Sequence, residues 1–252
     1  MVAGCGSDDD GAAAPAQPVP SAESPSAPTT SGEPTPSASA SAPAEPAPAP
    51  TPSKRGKLKR GVKGAEVVAL QKRLTELGYW NGKADASFGS LTQQAVYALQ
   101  KAAGLNRDGV VGAKTKKALD QGVRPKPRSN SGYVVEIDRK RQLLMIVDDG
   151  EVRQIFNTST GNYERYENNG RSSVAATPAG NFKVSRQIDG WRNAPLGMLW
   201  RPKYFNGGIA VHGANSVPPY AASHGCARLS ISAMNWIWAN DKMPIKTKVR
   251  VY

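Results

Sequence analysis

Apolar residues recur at intervals of three and four in one part of this chain, which is the period of an α-helix. The first series consists of Val67, Leu70, Leu74 and Leu77. It stops at Gly78, a residue type that commonly ends a helix. A second series spans 91–102 and stops before Gly104, and a third, shorter one spans about 113–119. The pattern predicts a small three-helix bundle.

After residue 131 the pattern changes to short, β-branched runs separated by turn residues. Three such runs are YVVEID (133–138), LLMIVD (143–148) and VRQIFNTS (152–159), and strand signals continue in GNFKVSRQI and GIAVHG. The Asp149-Gly150 pair between the second and third runs is typical of a two-residue hairpin turn. The short spacings predict an antiparallel, mostly β, sandwich-like domain.

A single helix is predicted late in the β region, over 231–240. Ser230 is a suitable N-cap, because its side-chain oxygen accepts hydrogen bonds from the first turn of a helix. Ile231, Met234 and Ile237 would share one face of this helix. We expect that face to pack against the strands.

The N-terminal segment lacks the residues needed for a core. Between Ser7 and Pro52 it is almost entirely Ala, Pro, Ser, Thr and Glu, with no Leu, Ile, Phe, Tyr, Trp or Met. This composition predicts a disordered tether. We therefore divide the chain into a tether over 1–56, a helical domain over 57–123, a linker over 124–131 and a β domain over 132–252.

The remainder of the chain is strongly basic. Residues 1–52 have six acidic residues and no Lys or Arg, so the other 200 residues hold 33 basic and 14 acidic groups, a net charge of +19 compared with +13 for the whole chain. Such a surplus of positive charge favours contact with anionic wall polymers, an anionic membrane face or nucleic acid. Nucleic acid is the least favoured, because no Lys- or Arg-rich helix is suited to reading a groove.

The first residues contain a possible lipidation site. Val2-Ala3-Gly4-Cys5 resembles the lipobox of bacterial lipoproteins, whose Cys is diacylated after signal cleavage; the signal segment would lie upstream of Met1. The resemblance implies an exported protein on the outer face of the cytoplasmic membrane, with Cys5 as its only membrane contact. The alternative is a Cys without a function. If Cys5 is lipidated, Cys226 is the only free thiol, which favours a catalytic role.

The helical region contains an internal repeat. DASFGSLT (85–92) and DGVVGAKT (108–115) share Asp, an apolar residue, Gly and Thr at the same offsets, and Leu-Gln pairs occur at 70–71 and 99–100. With these G-x-x-T and LQ…L…LGY features, the region resembles the three-helix peptidoglycan-binding domain of wall-remodelling enzymes. The alternative is a bundle whose Gly and Thr residues only cap helices.

The stretch SHGCARLS (223–230) contains one of the two His residues and one of the two Cys residues. A thiol becomes nucleophilic near neutral pH only when a neighbour takes its proton or stabilises the thiolate, as an imidazole does. Two imidazoles are available to Cys226. His224 is two residues away, and His212 ends an apolar strand. Spacing alone does not choose between them.

The surrounding sequence resembles a known family. GIAVHGANSVPPYAASHGCARLS (208–230) is similar to the signature of L,D-transpeptidase catalytic domains, and TPAGNF (177–182) is similar to their upstream T-P-x-G-x-F segment. The resemblance spans residues 133–252. It implies that Cys226 is the nucleophile and His212 the general base and acid, with His224 as a supporting residue.

Backbone groups near Cys226 are expected to complete the site. We expect the second ring nitrogen of His212 to be held by the carbonyl of Gly213. Gly225 permits unusual backbone angles, so the amides of Gly225 and Cys226, with that of His224, are candidate oxyanion donors. Ser223 precedes this motif and is predicted to support it.

Two further features have open interpretations. Arg228 either binds a substrate carboxylate or braces the loop. Tyr204 and the other aromatic residues between Trp191 and Phe205 either form a wall of the substrate cleft or belong to the core.

Different roles for the motif residues have less support. His212, His224 and Cys226 as zinc ligands would lack a fourth Cys or His other than Cys5 of the tether, and they lack the usual paired spacings. A buried structural thiol is disfavoured, because Cys226 lies between Gly225 and Ala227 rather than in an apolar strand. Sortases and papain-like wall peptidases use the same Cys-His chemistry in different motifs. We expect no metal or other cofactor.

The resemblance implies a cell-wall L,D-transpeptidase. Cys226 would attack the carbonyl of the third residue of a donor stem tetrapeptide, release D-alanine and pass the acyl group to an amine of a neighbouring stem, forming a 3→3 cross-link. Peptidoglycan stem peptides and glycan are the expected partners. The alternatives are L,D-carboxypeptidase activity, attachment of a protein to the wall, and a non-catalytic wall-binding lipoprotein.

Overall fold

The computed structural model of the chain describes residues 56–168 and 170–252. Cys5 and the predicted tether as far as residue 55 lie outside the described residues. Within the described ranges, no helix is long and apolar enough to cross a membrane.

Three helices form the first folded region, as the apolar spacing predicts. They are α1 (Ala65–Glu76), α2 (Ser90–Ala102) and α3 (Ala113–Asp120). Gly78 follows α1 with a φ of +83°, a conformation that glycine adopts without steric penalty. Gly89 and Gly112 are the N-caps of α2 and α3. The glycines of the repeat therefore do bound helices.

The repeat also builds two equivalent hydrogen-bond networks. The first joins Gln71 to Asp85 and Thr92, and the second joins Gln100 to Asp108 and Thr115. In the two networks the Gln side-chain nitrogen lies 2.7 and 2.6 Å from the Asp oxygen, and 2.9 and 3.1 Å from the Thr hydroxyl. Both glutamines are buried. Each network therefore satisfies a buried amide, which is why the Leu-Gln pairs and the Asp-to-Thr segments repeat together.

The second folded region, in the described part of the chain, has twelve strands in two five-stranded sheets and a hairpin. The strands are β1 (Tyr133–Asp138), β2 (Leu143–Asp148), β3 (Glu151–Asn157), β4 (Arg165–Asn168), β5 (Arg171–Val174), β6 (Gly180–Lys183), β7 (Arg186–Gln187), β8 (Trp191–Ala194), β9 (Gly197–Asn206), β10 (Ile209–Ala214), β11 (Ala227–Ser230) and β12 (Lys248–Val251). The first sheet has the order β3-β2-β1-β12-β6. The second has the order β11-β10-β9-β7, with β8 also paired to β9, and β4 pairs with β5.

The prediction of an antiparallel domain is wrong for two strand pairs. β1 pairs with β12, and β10 with β11, in parallel. Parallel neighbours need a long connection, and residues 215–226 provide it between β10 and β11. Turn chemistry reports only on local hairpins, such as Asp149-Gly150. There both residues have positive φ, 46° and 79°, as a type I′ turn requires.

The two sheets face each other across an apolar core. Val135 of β1, Val211 of β10 and Leu229 of β11 are buried there. The late helix α4 (Ile231–Ala239) covers one side of this core, and Met234 is among its buried residues. Its predicted N-cap is confirmed, because Ser230 Oγ accepts a hydrogen bond of 3.2 Å from the N–H of Ala233.

The outer face of the first sheet packs against the helical region. Leu143, Met145 and Val147 of β2 belong to the same cluster as the apolar residues of the helices, whereas Leu144 and Ile146 face the second sheet. β2 is therefore buried on both faces, which accounts for its uninterrupted apolar sequence. The predicted helical and β domains share one core.

Backbone hydrogen bonds extend this contact along the edge strand β3. The N–H of Ile155 donates to the carbonyl of Gly78 at 2.8 Å, and the N–H of Trp80 donates to the carbonyl of Ile155 at 3.0 Å. The chain after α1 thus covers a sheet edge whose backbone groups would otherwise lack partners.

The segment predicted as a linker is also held against the sheet. The N–H groups of Arg128 and Ser129 donate to the carboxylate of Glu136 at 2.6 to 3.0 Å. Glu136 is fully buried on β1. A buried carboxylate needs such donors, so this segment is part of the fold.

A buried lysine joins the helical region to the end of β3. Lys101 of α2 is 2% exposed, and its amino group donates to the carbonyls of Gln142 (2.8 Å) and Thr158 (3.1 Å) and to the side-chain oxygen of Asn157. Burial favours the neutral amine and lowers the pKa of Lys101 to about 6, whereas the three acceptors favour the ammonium form, which has the three N–H donors that they need. Three acceptors offset the loss of water around this group, so Lys101 fixes the chain at residues 157–158.

Two other side chains of the helical region reach the connection between β10 and β11. The amide of Gln94 donates to the carbonyl of Val217 at 3.1 Å, and the guanidinium of Arg107 donates to the carbonyl of Pro219 at 2.9 Å. The helical region therefore contacts the loop that carries the SHGC motif.

Replacing Lys101 with Met gives an unbranched apolar side chain that is one heavy atom shorter and removes every N–H donor. We expect the free energy of unfolding to fall by about 2–4 kcal/mol, because buried oxygens lose their partners. Denaturant unfolding, followed by tryptophan fluorescence and circular dichroism, measures this value. Lys117→Met, at an exposed position of α3, is the matched control and should change stability by less than about 0.5 kcal/mol. Equal stability of the two variants would contradict the structural role of Lys101.

Candidate active site

A cleft of about 550 Å³ opens beside β10 and β11. The β4–β5 hairpin forms one wall, through Tyr166, and the tip of the β8–β9 hairpin, residues 195–199, forms the other. The sequence-predicted residues that line the cleft are Tyr204, His212, Ser223, His224, Gly225, Cys226 and Arg228. Gly213 lies just beyond the lining and contacts it through its backbone.

The parallel pairing of β10 with β11 puts His212 and Cys226 on one face of the sheet. Val211 pairs with Ala227, and His212 pairs with Arg228. Val211 and Ala227 are buried between the sheets, so the alternating side chains of His212 and Arg228 face the cleft. Cys226 directly precedes Ala227 and faces the same way. The structure thus brings together residues that are fourteen positions apart in sequence.

The Cys226 thiol is partly buried at the floor of the cleft. Its sulfur accepts a hydrogen bond from the N–H of Ala210 at 3.4 Å. Burial raises the pKa of the Cys226 thiol above its ordinary value, although the Ala210 N–H and the charge of Arg228 act in the opposite direction. The thiol therefore keeps its proton at neutral pH.

The His212 imidazole is buried and oriented by the backbone. Its Nδ1 lies 2.9 Å from the carbonyl oxygen of Gly213, which is the contact predicted from sequence. A carbonyl only accepts, so Nδ1 carries the hydrogen and Nε2 presents a lone pair. Burial lowers the pKa of His212 to about 4; the Gly213 hydrogen bond opposes this shift and Arg228 adds to it. At neutral pH the ring is a neutral proton acceptor.

The turn before Cys226 is closed by a serine hydroxyl. The N–H of Gly225 donates to Ser223 Oγ at 3.1 Å, and that hydroxyl donates to the carbonyl of Cys226 at 2.6 Å. Gly225 stays a predicted oxyanion donor, although its N–H is bonded to Ser223 Oγ within the turn. The N–H of Cys226 has no hydrogen-bond partner in residues 56–168 and 170–252, and it stays a candidate.

Gly225 is required at its position for a steric reason. Its φ is +148°, and an added Cβ would lie 2.8 Å from the carbonyl oxygen of Ala176. Such a contact is shorter than a side chain tolerates, and the backbone angle itself disfavours other residues. Gly225 thus shapes the turn although its amide is not free.

Sequence reasoning missed Thr177 as a site residue. Its hydroxyl is fully buried, accepts a hydrogen bond from the N–H of Gly161 at 3.0 Å and donates to the carbonyl of Gly225 at 2.6 Å. Thr177 therefore ties the strand-entry segment to the turn before Cys226. The TPAGNF motif was the available signal, but nothing in its composition indicates a contact 48 residues away.

The β4–β5 hairpin was also missed, and it contacts His224. The ring of His224 meets that of Tyr166 edge-on, with 4.8 Å between ring centroids. His224 is exposed and packs on this wall, whereas His212 lies buried at the floor. The strands RYEN and RSSV carry almost no apolar residues, so they have no periodic signal.

Comparison with known proteins identifies both regions. Residues 132–251 match the family described as L,D-transpeptidase catalytic domain, and residues 63–119 match the family described as putative peptidoglycan binding domain. An L,D-transpeptidase from Xylanimonas cellulosilytica, known from a crystal structure, is 55% identical, with a TM-score of 0.77 over 80% of this chain and 100% of that one. This chain belongs to the L,D-transpeptidase family.

Curated relatives match this chain over shorter stretches. An N-acetylmuramoyl-L-alanine amidase of Bacillus licheniformis is 47% identical over 78 residues, which are 30% of this chain and 22% of the amidase. A spore cortex-lytic enzyme of Bacillus subtilis is 49% identical over 63 residues, 25% of this chain and 21% of that enzyme. The chain thus spans about a fifth of the length of these relatives.

The aromatic residues between Trp191 and Phe205 divide between core and cleft. Phe205 is buried between the sheets, and Trp200 packs against the same cluster. Trp191 stacks near Trp200, with ring centroids 5.0 Å apart. Tyr204 is the aromatic side chain of this segment that lines the cleft. Both interpretations offered from the sequence therefore apply, each to different residues.

Arg228 has separate backbone and side-chain roles. Its N–H donates to the carbonyl of Ser159 at 3.0 Å, and its carbonyl accepts from the Thr158 hydroxyl at 2.8 Å. The backbone therefore braces the loop. The guanidinium lines the cleft and forms no salt bridge within the described residues.

The zinc hypothesis finds no support in the donor set. His212, His224 and Cys226 do not form a cluster suited to a metal, and no group of three or more His, Cys, Asp or Glu residues does so elsewhere in the part of the chain that the structure describes.

Alkylation of Cys226 tests its protonation state. We expect its rate with iodoacetamide to rise about tenfold per pH unit through neutrality, because the thiolate is the reactive form and burial keeps the thiol pKa above its ordinary value. The measurement uses the full chain with Cys5→Ser, which leaves a single thiol, and free cysteine with its pKa of about 8.5 as the control. A rate that levels off near neutral pH would reveal a thiolate–imidazolium pair and contradict the expectation.

Proposed function

We propose that this protein is a cell-wall L,D-transpeptidase that forms 3→3 peptidoglycan cross-links through an acyl-enzyme on Cys226. The observation that carries the proposal is the pairing of β10 with β11, which brings Cys226 and His212 to one cleft. His212 has its Nε2 lone pair available because Gly213 occupies Nδ1. Family membership supports the reaction class.

The first half of the reaction acylates the enzyme. Nε2 of His212 takes the thiol proton as the sulfur of Cys226 attacks the carbonyl carbon of the third residue of the donor stem. The resulting tetrahedral intermediate collapses, the C–N bond to D-alanine breaks, and the imidazolium returns its proton to the departing amine. Because both groups are neutral at rest, proton transfer accompanies attack.

The second half transfers the acyl group. An amine of a neighbouring stem attacks the thioester carbonyl and gives a proton to His212. The C–S bond then breaks, the thiolate regains the proton, and a new amide remains. In both halves the N–H of Cys226 is our candidate donor to the oxyanion, because it has no competing partner in the described ranges.

Arg228 is proposed to orient the donor. Its guanidinium faces the cleft beside His212, its partner in the strand register. Arginine binds carboxylates with two parallel hydrogen bonds. The scissile bond of a tetrapeptide is followed by the terminal carboxylate of D-alanine, a suitable ligand for this side chain.

The helical region is proposed to hold the enzyme on the wall. It matches a peptidoglycan-binding family, and the basic balance of the chain favours a polyanionic polymer. Export and a lipid anchor at Cys5 complete the proposal, and they place the protein on the outer face of the membrane. Because the helical and β regions share a core, point variants suit tests of wall binding better than deletion does.

A carbapenem provides the sharpest test of the nucleophile. We expect intact mass spectrometry to show an increase equal to one carbapenem on the wild type and none on Cys226→Ala. His212→Ala should slow acylation about a hundredfold or more, the usual effect of losing a general base. His224→Ala is the matched control, because this ring packs against Tyr166, and it should slow acylation less than about tenfold. An adduct on Cys226→Ala would overturn the assignment.

Product analysis separates transpeptidation from its alternatives. Purified tetrapeptide muropeptides incubated with wild type should give 3→3 dimers and free D-alanine, and Cys226→Ala should give neither. Tripeptides without dimers would instead indicate an L,D-carboxypeptidase, because water would be the acceptor. A muropeptide joined to a protein amine would indicate attachment to the wall. Mass spectrometry of the separated products distinguishes these results.

A further inference from the structure

Among the residues that the structure describes, three arginines and no acidic residue line the active-site cleft. Arg186, Arg192 and Arg228 contribute to its surface, and no Asp or Glu of the described residues does so. The Cys-His chemistry itself requires none of these charges. Arg228 lies beside His212, whereas Arg186 and Arg192 belong to β7 and β8, farther along the cleft.

Arg186 is held in place by an aromatic ring. Its guanidinium carbon lies 3.8 Å from the centroid of the Tyr204 ring, across the register of β7 and β9. Tyr204 is 4% exposed and belongs to the apolar cluster that includes Cys226. Stacking fixes the plane of a guanidinium and leaves its N–H edge available. Arg186 forms no salt bridge with the residues that the structure describes.

Arg192 adds a second positive charge to the cleft. It pairs with Leu199 in the β8–β9 hairpin and is exposed at the cleft. The carboxylate of Asp189, which lies between the two arginines in sequence, is already bound by Arg201, 2.6 Å away. Arg186 and Arg192 are therefore two guanidinium groups that line one cleft, and the acidic residue between them in sequence is bound to Arg201.

We propose that Arg186 and Arg192 form a carboxylate subsite that selects donor stems with a free side-chain or backbone carboxylate over the same stems bearing a carboxamide. This inference rests on the proposed function and names the substrate class more narrowly. The stacked guanidinium of Arg186 supplies two parallel N–H donors, and Arg192 adds charge. A carboxamide is neutral and has one acceptor oxygen, so it loses the charge-assisted pair.

Binding can be tested without turnover. The Cys226→Ala variant keeps the cleft but removes the nucleophile, so it binds a stem without turning it over. Titration calorimetry can then measure the dissociation constants of two tetrapeptide stems. The two stems differ only in whether one group preceding the scissile bond is a carboxylate or a carboxamide. We expect the carboxylate stem to bind about tenfold more tightly or better. Adding Arg186→Gln or Arg192→Gln to this variant should reduce the ratio of the two dissociation constants towards one, mainly by weakening the binding of the carboxylate stem.

Two controls separate recognition from packing. Arg171→Gln removes the same charge from an exposed position of β5 outside the cleft, and it should leave the ratio unchanged. Arg186→Lys keeps the charge without the planar donor pair, so it should restore part of the ratio. If the role of Arg186 were only structural, its replacement would weaken the binding of both stems equally.

The outcomes are distinct from those of the proposed function. An unchanged ratio in Arg186→Gln and Arg192→Gln, or an equal loss for both stems, overturns the subsite. The absence of a carbapenem adduct on wild type overturns the nucleophile assignment whatever the binding ratio is. Because the calorimetry uses an enzyme that cannot turn over, neither result depends on the other.

Discussion

The first sheet buries both of its faces, one against the helical region and one against the second sheet. Burial of apolar surface is the main favourable term in folding, and three helices of 12, 13 and 8 residues offer little of it alone. The helical region therefore needs the sheet, and the sheet needs a cover for its outer face. Lys101 lies in this interface and holds the end of β3 by its three acceptors.

Hydrogen bonds of the residues that follow β3 connect this interface to the loop that contains Cys226. The N–H groups of Ala222 and Ser223 both donate to the carbonyl of Thr160, at 3.0 and 2.9 Å. Thr177 and Ser223 then fix the turn through buried hydroxyls. A nucleophile on a loop requires such supporting contacts, because small displacements from productive geometry are expensive in rate. The helical region is thus linked to Cys226 by a continuous series of hydrogen bonds.

The cleft combines a neutral reacting pair, Cys226 and His212, with positively charged arginines around it. Burial raises the pKa of the Cys226 thiol and lowers that of His212, so a thiolate–imidazolium pair is disfavoured at rest. The charges that remain are those of the arginines on the floor and walls. The positive charge of the cleft therefore favours an anionic ligand, while the two reacting groups themselves are neutral at rest.

The family of this protein was predictable because its chemistry depends on a short motif. SHGC and the upstream HG identified Cys226 and His212 as candidates, and local periodicity predicted α1 to α4 and the strands β1 to β3, since helix period, strand alternation and turn type are properties of neighbouring residues. The β4–β5 hairpin had no apolar pattern to reveal it.

Contacts between residues that are distant in sequence depend on the tertiary structure alone. The parallel register of β10 and β11, the engagement of the Gly225 N–H by Ser223, the contact of Thr177 with the turn, and the core shared by helices and sheet all join segments whose meeting depends on how the whole chain packs. The sequence by itself determined which residue types carry the chemistry; only packing decided which amide stays free, which imidazole is buried and which arginines face the cleft.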